Sequence, residues 1–206
     1  GAVVVVDVKT GEPLAIASYP TYDLTSLLEN YNQILAEKNN PLYNRALQGE
    51  YAPGSTFKPC TSIAGLTEGF INTETRLECG GIYTKYEEYG YAPRCWIYGS
   101  GVHGPDCLCE ALRDSCNCFF YEVGRQLGID RMDKYAALLG LGESTGIELP
   151  ENTGNMSNSA THFNWVGEDW TIGDTLQAAI GQSDSMFTPL QLAEYCAEMG
   201  FTHIEL

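Results

Sequence analysis

Basic residues are scarce in this chain and never adjacent. Lys and Arg number 11 among 206 residues, against 27 Asp and Glu, for a formal charge of −16. Nucleic-acid binding needs clustered cations that displace counterions, and docking on anionic lipid needs the same, so both classes are excluded. The acidic balance is mainly a statement about solubility. Long apolar runs are missing as well. Val3-Val4-Val5-Val6 falls far short of the roughly 18–20 residues that span a bilayer, and it suits a strand. No basic-then-apolar leader is present, so a targeting segment is expected upstream of Gly1 or nowhere. Internal repeats and low-complexity linkers are absent too, and a 44% hydrophobic content marks a globular chain.

Cysteine is plentiful, but its spacing along the chain is not that of a zinc site. Cys107-Leu-Cys109 and Cys116-Asn-Cys118 form C-x-C-x6-C-x-C without the usual C-x2-4-C pairs. The intervening "EALRDS" reads as helix, which would point the thiolates in several directions. The expectation is therefore no metal and buried free thiols acting as small apolar groups. Cys79 and Cys95 flank a loop-like segment and make the disulfide candidate.

The hydrophobic pattern alternates between the two regular periods. "AVVVVDV" (2–8), "KTGEP" and "LAIASY" (14–19) read as strand, turn and strand. Residues 23–38 carry Leu24, Leu27, Leu28, Tyr31 and Leu35 at helical spacing. A helix runs from Thr56 to Gly69, with Phe57, Cys60, Ile63, Ala64 and Thr67 on one face. Residues 72–104 give only weak strand signals. Three helices are expected in 107–142, the first capped by Asp106. Residues 144–174 read mostly as loop, and a helix follows from Asp174 to Gly181. Thr188-Pro189 begins the last helix, with Thr as N-cap and Pro at N1. The fold class is α/β (α+β), with a helical subdomain over approximately 70–170 inserted in a sheet-bearing part.

"APGSTFKPC" carries the chemistry. On a helix, residues i and i+3 share a face, so Ser55 and Lys58 point the same way. Pro59 cannot return a helical bond to the carbonyl of Ser55. Ser55 is thereby held in the first turn, where free N–H groups favour developing negative charge. A serine hydroxyl needs a base, and a lysine serves once its pKa falls through desolvation or a nearby cation. Taken alone, the four residues also fit a capping serine beside a solvated lysine. Sixty residues on, "RDSCNCFFY" sets the hydroxyl of Ser115 and the amide of Asn117 two apart at a bend, where both can face a cleft. Together these give a nucleophile, a base, a proton relay and a substrate clamp.

"PGSTFKP" followed by "SCN" resembles the penicillin-binding, serine D,D-transpeptidase family, whose signature is S-x-x-K, S-x-N and K-T-G. "NRALQGEYAPGSTFKP", "EALRDSCNCFFYEVGRQLGID", "LGLGESTGIELPEN", "GDTLQAAIGQ" and "TPLQLA" follow in the family's order. The likeness runs to about Ala197 and is closest to the elongation-type class B enzymes. It implies a serine β-lactamase/D,D-transpeptidase-like fold, with an antiparallel sheet flanked by helices. It also implies Ser55 as acyl-accepting nucleophile, Lys58 as general base, Ser115 as proton shuttle and Asn117 as substrate clamp. The backbone N–H of Ser55 would be half of an oxyanion hole. His103, Trp165 and Trp170 are secondary suggestions, better read as a satisfied loop histidine and packing tryptophans.

The same resemblance implies an enzyme without cofactor or metal that acts on peptidoglycan stem peptides ending in D-Ala-D-Ala. β-Lactams would acylate the same serine. The work would be done at the extracytoplasmic face of the bacterial cell membrane, through an upstream anchor. A serine β-lactamase of the class D type and a non-catalytic β-lactam sensor module are the alternatives. The family's third motif, on a strand after the second, has no counterpart here. Lys9-Thr10-Gly11 sits before the nucleophile, in the hairpin turn. Residues 1–206 are thus expected to be one partial transpeptidase domain lacking the C-terminal strands, with self-association through the incomplete sheet. A second ammonium ~6 Å from Lys58, at an effective dielectric of about 20, would favour the neutral amine by roughly 2.8 kcal/mol. Without it Lys58 is expected to stay largely protonated at neutral pH, and turnover to be weak or nil.

Overall fold

A computed structural model describes residues 1–200, which form two compact units. The first comprises residues 1–51, 139–155 and 186–200. Its hairpin pairs β1 (Ala2–Val6) with β2 (Pro13–Ser18) antiparallel, Val4 opposite Ile16. Asp7 closes the turn by accepting the N–H groups of Lys9 and Thr10 on Oδ1, so Lys9-Thr10-Gly11 is turn backbone. Alternation gives the hairpin two faces. Ala2, Val4, Val6 and Ile16 pack on Ala46, Leu47 and Leu190, whereas Val3 and Val5 face outward.

Helix α1 (Leu27–Leu35) is shorter than its apolar pattern, and Ile34 is the buried residue. Leu24, Leu28 and Leu35 are exposed, Leu28 by 93%. The helical spacing was real, yet the face it marks is not the one this unit buries.

Leu190 belongs to the last helix, α8 (Pro189–Glu198), which starts as the Thr-Pro pair predicts. Thr188 Oγ1 accepts the N–H of Gln191, and the Gln191 side chain accepts the N–H of Thr188. The Gln191 amide also donates to the carbonyls of Glu143 and Thr153 while 1% exposed. One side chain thus bonds three backbone groups, those of Thr188, Glu143 and Thr153. Gln191→Leu keeps much of the volume and orphans all three. We expect urea unfolding to show a loss of about 2–4 kcal/mol.

The second unit comprises residues 52–138 and 156–185. Its centre is α4 (Asn117–Leu127), against which α2 (Lys58–Thr67), α5 (Ile129–Leu138) and α7 (Ile172–Ala178) pack. Phe119, Phe120, Val123 and Leu127 of α4 are almost wholly buried. Short strands β3 (Leu77–Cys79) and β4 (Gly104–Asp106) pair antiparallel beside it.

Three sequence expectations are corrected in this unit. Asp106 lies in β4 and does not cap α3 (Leu108–Arg113). The cap is Cys107, whose backbone N–H donates to Glu110 Oε2 at 2.9 Å. Part of the stretch read as loop is α6 (Ser159–Val166), capped by Asn158 Oδ1, which accepts the N–H groups of Ala160 and Thr161. α6 buries only His162 and so offers little periodicity. Finally, Cys79 and Cys95 are free thiols, as are the other six cysteines. Both are drawn into a larger cluster.

Candidate active site

Pro59 dictates the local geometry around Ser55. Since Pro59 has no N–H to offer the Ser55 carbonyl, that carbonyl takes a tighter bond from the N–H of Lys58, and Gly54–Phe57 becomes a 3-10 turn. α2 continues directly from it. Ser55 is exposed at the turn, while Lys58, one turn on, is 1% exposed. The turn is anchored where the Gly54 N–H donates to the carbonyl of Gly181 at 2.8 Å.

The buried ammonium is fully bonded. Lys58 Nζ donates to Ser115 O (2.8 Å), Ser115 Oγ (2.8 Å) and Asn117 Oδ1 (2.7 Å), and lies over the Phe120 ring. Ser115 Oγ in turn donates to Ser55 Oγ at 2.9 Å. The four residues singled out by motif spacing are therefore brought together, with Ser115 bridging the lysine and the serine. Sequence spacing suggested direct reach between amine and nucleophile, and did not reveal that the lysine also grips the backbone of the second motif.

Ser115 adopts a positive φ of 50° between α3 and α4. For a residue with a side chain this costs about 1 kcal/mol. The strain is what turns both its carbonyl and its hydroxyl toward Lys58.

Burial dominates the electrostatics of Lys58, lowering its pKa to about 8, while the sulfurs of Cys95 and Cys116 act in the opposite sense. Desolvation thus supplies part of the depression that the sequence reading had assigned to a second lysine. At pH 7 about a tenth of the amine is neutral, so protonated lysine still predominates.

Directly behind the second motif lies a cluster that spacing along the chain did not reveal. The ligand atoms of Cys79, Cys95, His103 and Cys116 all lie within 4.8 Å of one another, and the three thiols are buried. His103 Nδ1 is 3.5 Å from Cys79 Sγ and 3.7 Å from Cys95 Sγ, and its ring packs against Trp96. The Asn117 N–H donates to Cys95 Sγ at 3.3 Å. Hydrogen bonds from Cys116 and Cys118 push the Cys95 thiol below its usual range. Three thiols and an imidazole are the donor set of a closed tetrahedral zinc site. With Zn–S bonds of about 2.3 Å, neighbouring ligands stand about 3.8 Å apart, a small contraction from the spacing observed.

Of the remaining suggestions, Trp165 is exposed. Trp170 donates Nε1–H to Thr175 Oγ1 and meets the His162 ring edge-on, a packing role.

Comparison with known proteins bears on this geometry. The model of the penicillin binding protein transpeptidase domain matches residues 1–201. Peptidoglycan D,D-transpeptidase MrdA of Escherichia coli K12 is 35% identical over 199 residues, covering 94% of this chain and 31% of the relative. The chain thus spans about a third of the length of that relative. Among solved structures, Pseudomonas aeruginosa PBP2 in complex with WCK 5153 superposes with a TM-score of 0.86 at 32% identity, over 96% of this chain and 46% of that one. The imipenem acyl-enzyme complex of penicillin-binding protein A from M. tuberculosis gives 0.79 at 26% identity, over 96% and 45%.

Proposed function

The chain belongs to the penicillin binding protein transpeptidase family, and from that premise we propose that Ser55 is the acyl-accepting nucleophile of a peptidoglycan D,D-transpeptidase. The observation that carries this reading is the bridge from Lys58 Nζ through Ser115 Oγ to Ser55 Oγ, at 2.8 and 2.9 Å. An ammonium has three protons, and Lys58 Nζ has three acceptors. When it loses one proton, two N–H groups stay with Ser115 O and Asn117 Oδ1. The lone pair then faces Ser115 Oγ. The hydroxyl chain reverses, and the Ser55 proton passes through Ser115 to the amine as Ser55 Oγ attacks.

The substrate is a stem peptide ending in D-Ala-D-Ala. Ser55 Oγ bonds to the carbonyl carbon of the penultimate D-Ala, with the Ser55 N–H as one donor to the developing oxyanion. The C–N bond to the last D-Ala breaks, and the proton held by Lys58 returns through Ser115 to the leaving amine. An amine of a neighbouring strand then attacks the ester, which completes the cross-link. Asn117 holds the peptide backbone. β-Lactams acylate the same oxygen, a reading supported by the imipenem acyl-enzyme of the mycobacterial relative. The proposed place of work is the outer face of the cytoplasmic membrane. Among the described residues no helix is long and apolar enough to cross it.

The test is acylation by a fluorescent penicillin, with mass spectrometry locating the adduct. The label is expected on Ser55, and Ser55→Ala should abolish it. The pH dependence has a definite sign. The reactive form is the neutral amine, which is lost as pH falls through about 8. The neutral fraction climbs from about 0.1 at pH 7 to about 0.9 at pH 9, so the acylation rate should rise about tenfold over that interval. A label on another residue, or a flat profile, would remove the proposal.

A further inference from the structure

Three tyrosines of one short turn line a cavity that the acyl-transfer chemistry does not use. Tyr86 and Tyr91 face each other across an isolated bridge, and Tyr89 ends the 3-10 turn between them (Glu87–Tyr89). The opposite wall is the start of α7, with Ile172, Asp174 and Gln177, and the cavity measures about 710 Å³. Tyr91 is built in. Its hydroxyl accepts from Gln177 Nε2 at 3.0 Å and donates to the Gly173 carbonyl at 3.4 Å. Its ring lies on Gly173, where a Cβ would stand only 3.2 Å from it. Tyr89 is the opposite case. It is 76% exposed, tilted 49° against Tyr86 with the ring centroids 6.4 Å apart. A ring left in water adds little to folding, and this one stands on the rim of a cavity.

The lining sorts the possible ligands. Asp174 Oδ2 accepts the N–H and the hydroxyl of Thr171, so a carboxylate already occupies this wall, and the tyrosine turn adds Glu87 and Glu88. Anions are repelled, carboxylate-bearing peptides among them. Flat ring faces beside a few polar tips suit a neutral ligand with apolar C–H faces and hydroxyl edges, which is the chemistry of a pyranose. The volume lies in the range for a ligand of drug size, room for two rings rather than one. Position sorts them further. α7 packs along α4, the helix that begins with Asn117. Just past the far end of α7, the Gly181 carbonyl accepts the Gly54 N–H and so anchors the Ser55 turn. From Gly173 to Gly181 the helical rise is about 12 Å. An extended peptide covers about 3.4 Å per residue, so about three to four residues bridge that distance, the length of stem between the penultimate D-Ala and the amino sugar that carries it.

We infer that this tyrosine-lined cavity binds the N-acetylated amino sugars of the glycan strand whose stem peptide acylates Ser55, an inference that rests on the transpeptidase reading given above. Tyr86 and Tyr89 stack on pyranose faces, and Asp174 Oδ1 accepts a sugar hydroxyl. The subsite makes the enzyme prefer donor stems still attached to their strand over free peptides.

The probe for the cavity alone is N,N′-diacetylchitobiose, which has no stem to transfer. Saturation-transfer NMR on the whole chain should show its N-acetyl methyl signals. Tyr89→Ala should lose them, and Tyr98→Ala, an exposed tyrosine of the same loop outside the cavity, should keep them. For the reaction, a disaccharide-pentapeptide should compete with fluorescent penicillin at about tenfold lower concentration than the free pentapeptide, because the tethered sugar raises the effective concentration of its stem. In Tyr89→Ala the two competitors should become equal. No transfer to chitobiose, transfer that survives Tyr89→Ala, or equal competition in the parent would overturn the inference. So would a free pentapeptide whose own competition weakens in Tyr89→Ala, since the cavity would then hold peptide. Saturation transfer as described, in a chain that never takes the penicillin label, would uphold the sugar site and remove the Ser55 reading instead.

Discussion

Lys58→Ala is expected to slow acylation of Ser55 by about 1000-fold, the middle to upper range for removing a positioned general base. The structure makes the loss twofold. The base disappears, and three acceptors that now share one ammonium lose it together: Ser115 O, Ser115 Oγ and Asn117 Oδ1. Lys58 is 1% exposed, so bulk water is a poor replacement donor. A stability loss of about 1–3 kcal/mol should accompany the kinetic one. Lys58→Arg separates the two effects. The guanidinium keeps a positive charge and donors for the same carbonyl and amide, but it does not deprotonate in this pH range. Its melting temperature should lie nearer the parent's, with labelling as slow as in Lys58→Ala. If either variant labels within threefold of the parent, Lys58 is not the base.

The contrast between Lys58 and the sulfur cluster explains how much of the molecule was legible in its sequence. Ser55, Lys58, Ser115 and Asn117 announced themselves through local spacing, because each pair lies within one helical turn or one bend. Thr188 and Pro189 did the same for α8, through a capping box confined to four residues. Val3 through Val6 likewise marked a strand, but four identical residues carry no alternation, so the burial of Val4 and Val6 and the exposure of Val3 and Val5 are set by pairing and packing.

What could not be read is whatever depends on which segments meet. Cys79, Cys95, His103 and Cys116 are separated by 16, 8 and 13 positions, with no repeat that a metal motif would impose. The adjacent pairs Cys107/Cys109 and Cys116/Cys118 drew attention because they are close in sequence, yet only Cys116 among them joins the set of four. α1 errs in the same direction, since its leucines obey the helical period while Ile34 is the residue that finds a partner surface. The depth at which Lys58 is buried is also set by packing. It governs the basicity that the mechanism requires, and no feature of S-x-x-K encodes it.

Packing of that kind makes Gly181→Ala the most damaging single-methyl change we expect in the second unit. A Cβ at Gly181 would stand 2.1 Å from the Gly54 carbonyl oxygen and 2.8 Å from the Gly54 nitrogen and carbonyl carbon. All three are backbone atoms of the turn that carries Ser55, so no side chain can swing aside. Gly181 also has φ of +71°, which costs alanine about 1–2 kcal/mol by itself. Forcing the two backbones apart strains the 2.8 Å bond from the Gly54 N–H to the Gly181 carbonyl and adds about 1–3 kcal/mol. Gly69→Ala is the control, because its φ is +73° and nothing lies within 4 Å of the added methyl. The control should lose only the conformational part. Gly181→Ala should lose about 3 kcal/mol or more, a fall of about 6–12 °C in melting temperature for a chain of this size. The kinetic consequence follows from the same contact. Ser55 is the residue after Gly54, so displacing the turn draws its hydroxyl away from Ser115 Oγ, and labelling should slow while that of Gly69→Ala stays at the parent rate. Equal melting temperatures for the two variants, together with undiminished labelling, would mean that this backbone contact does not position the nucleophile.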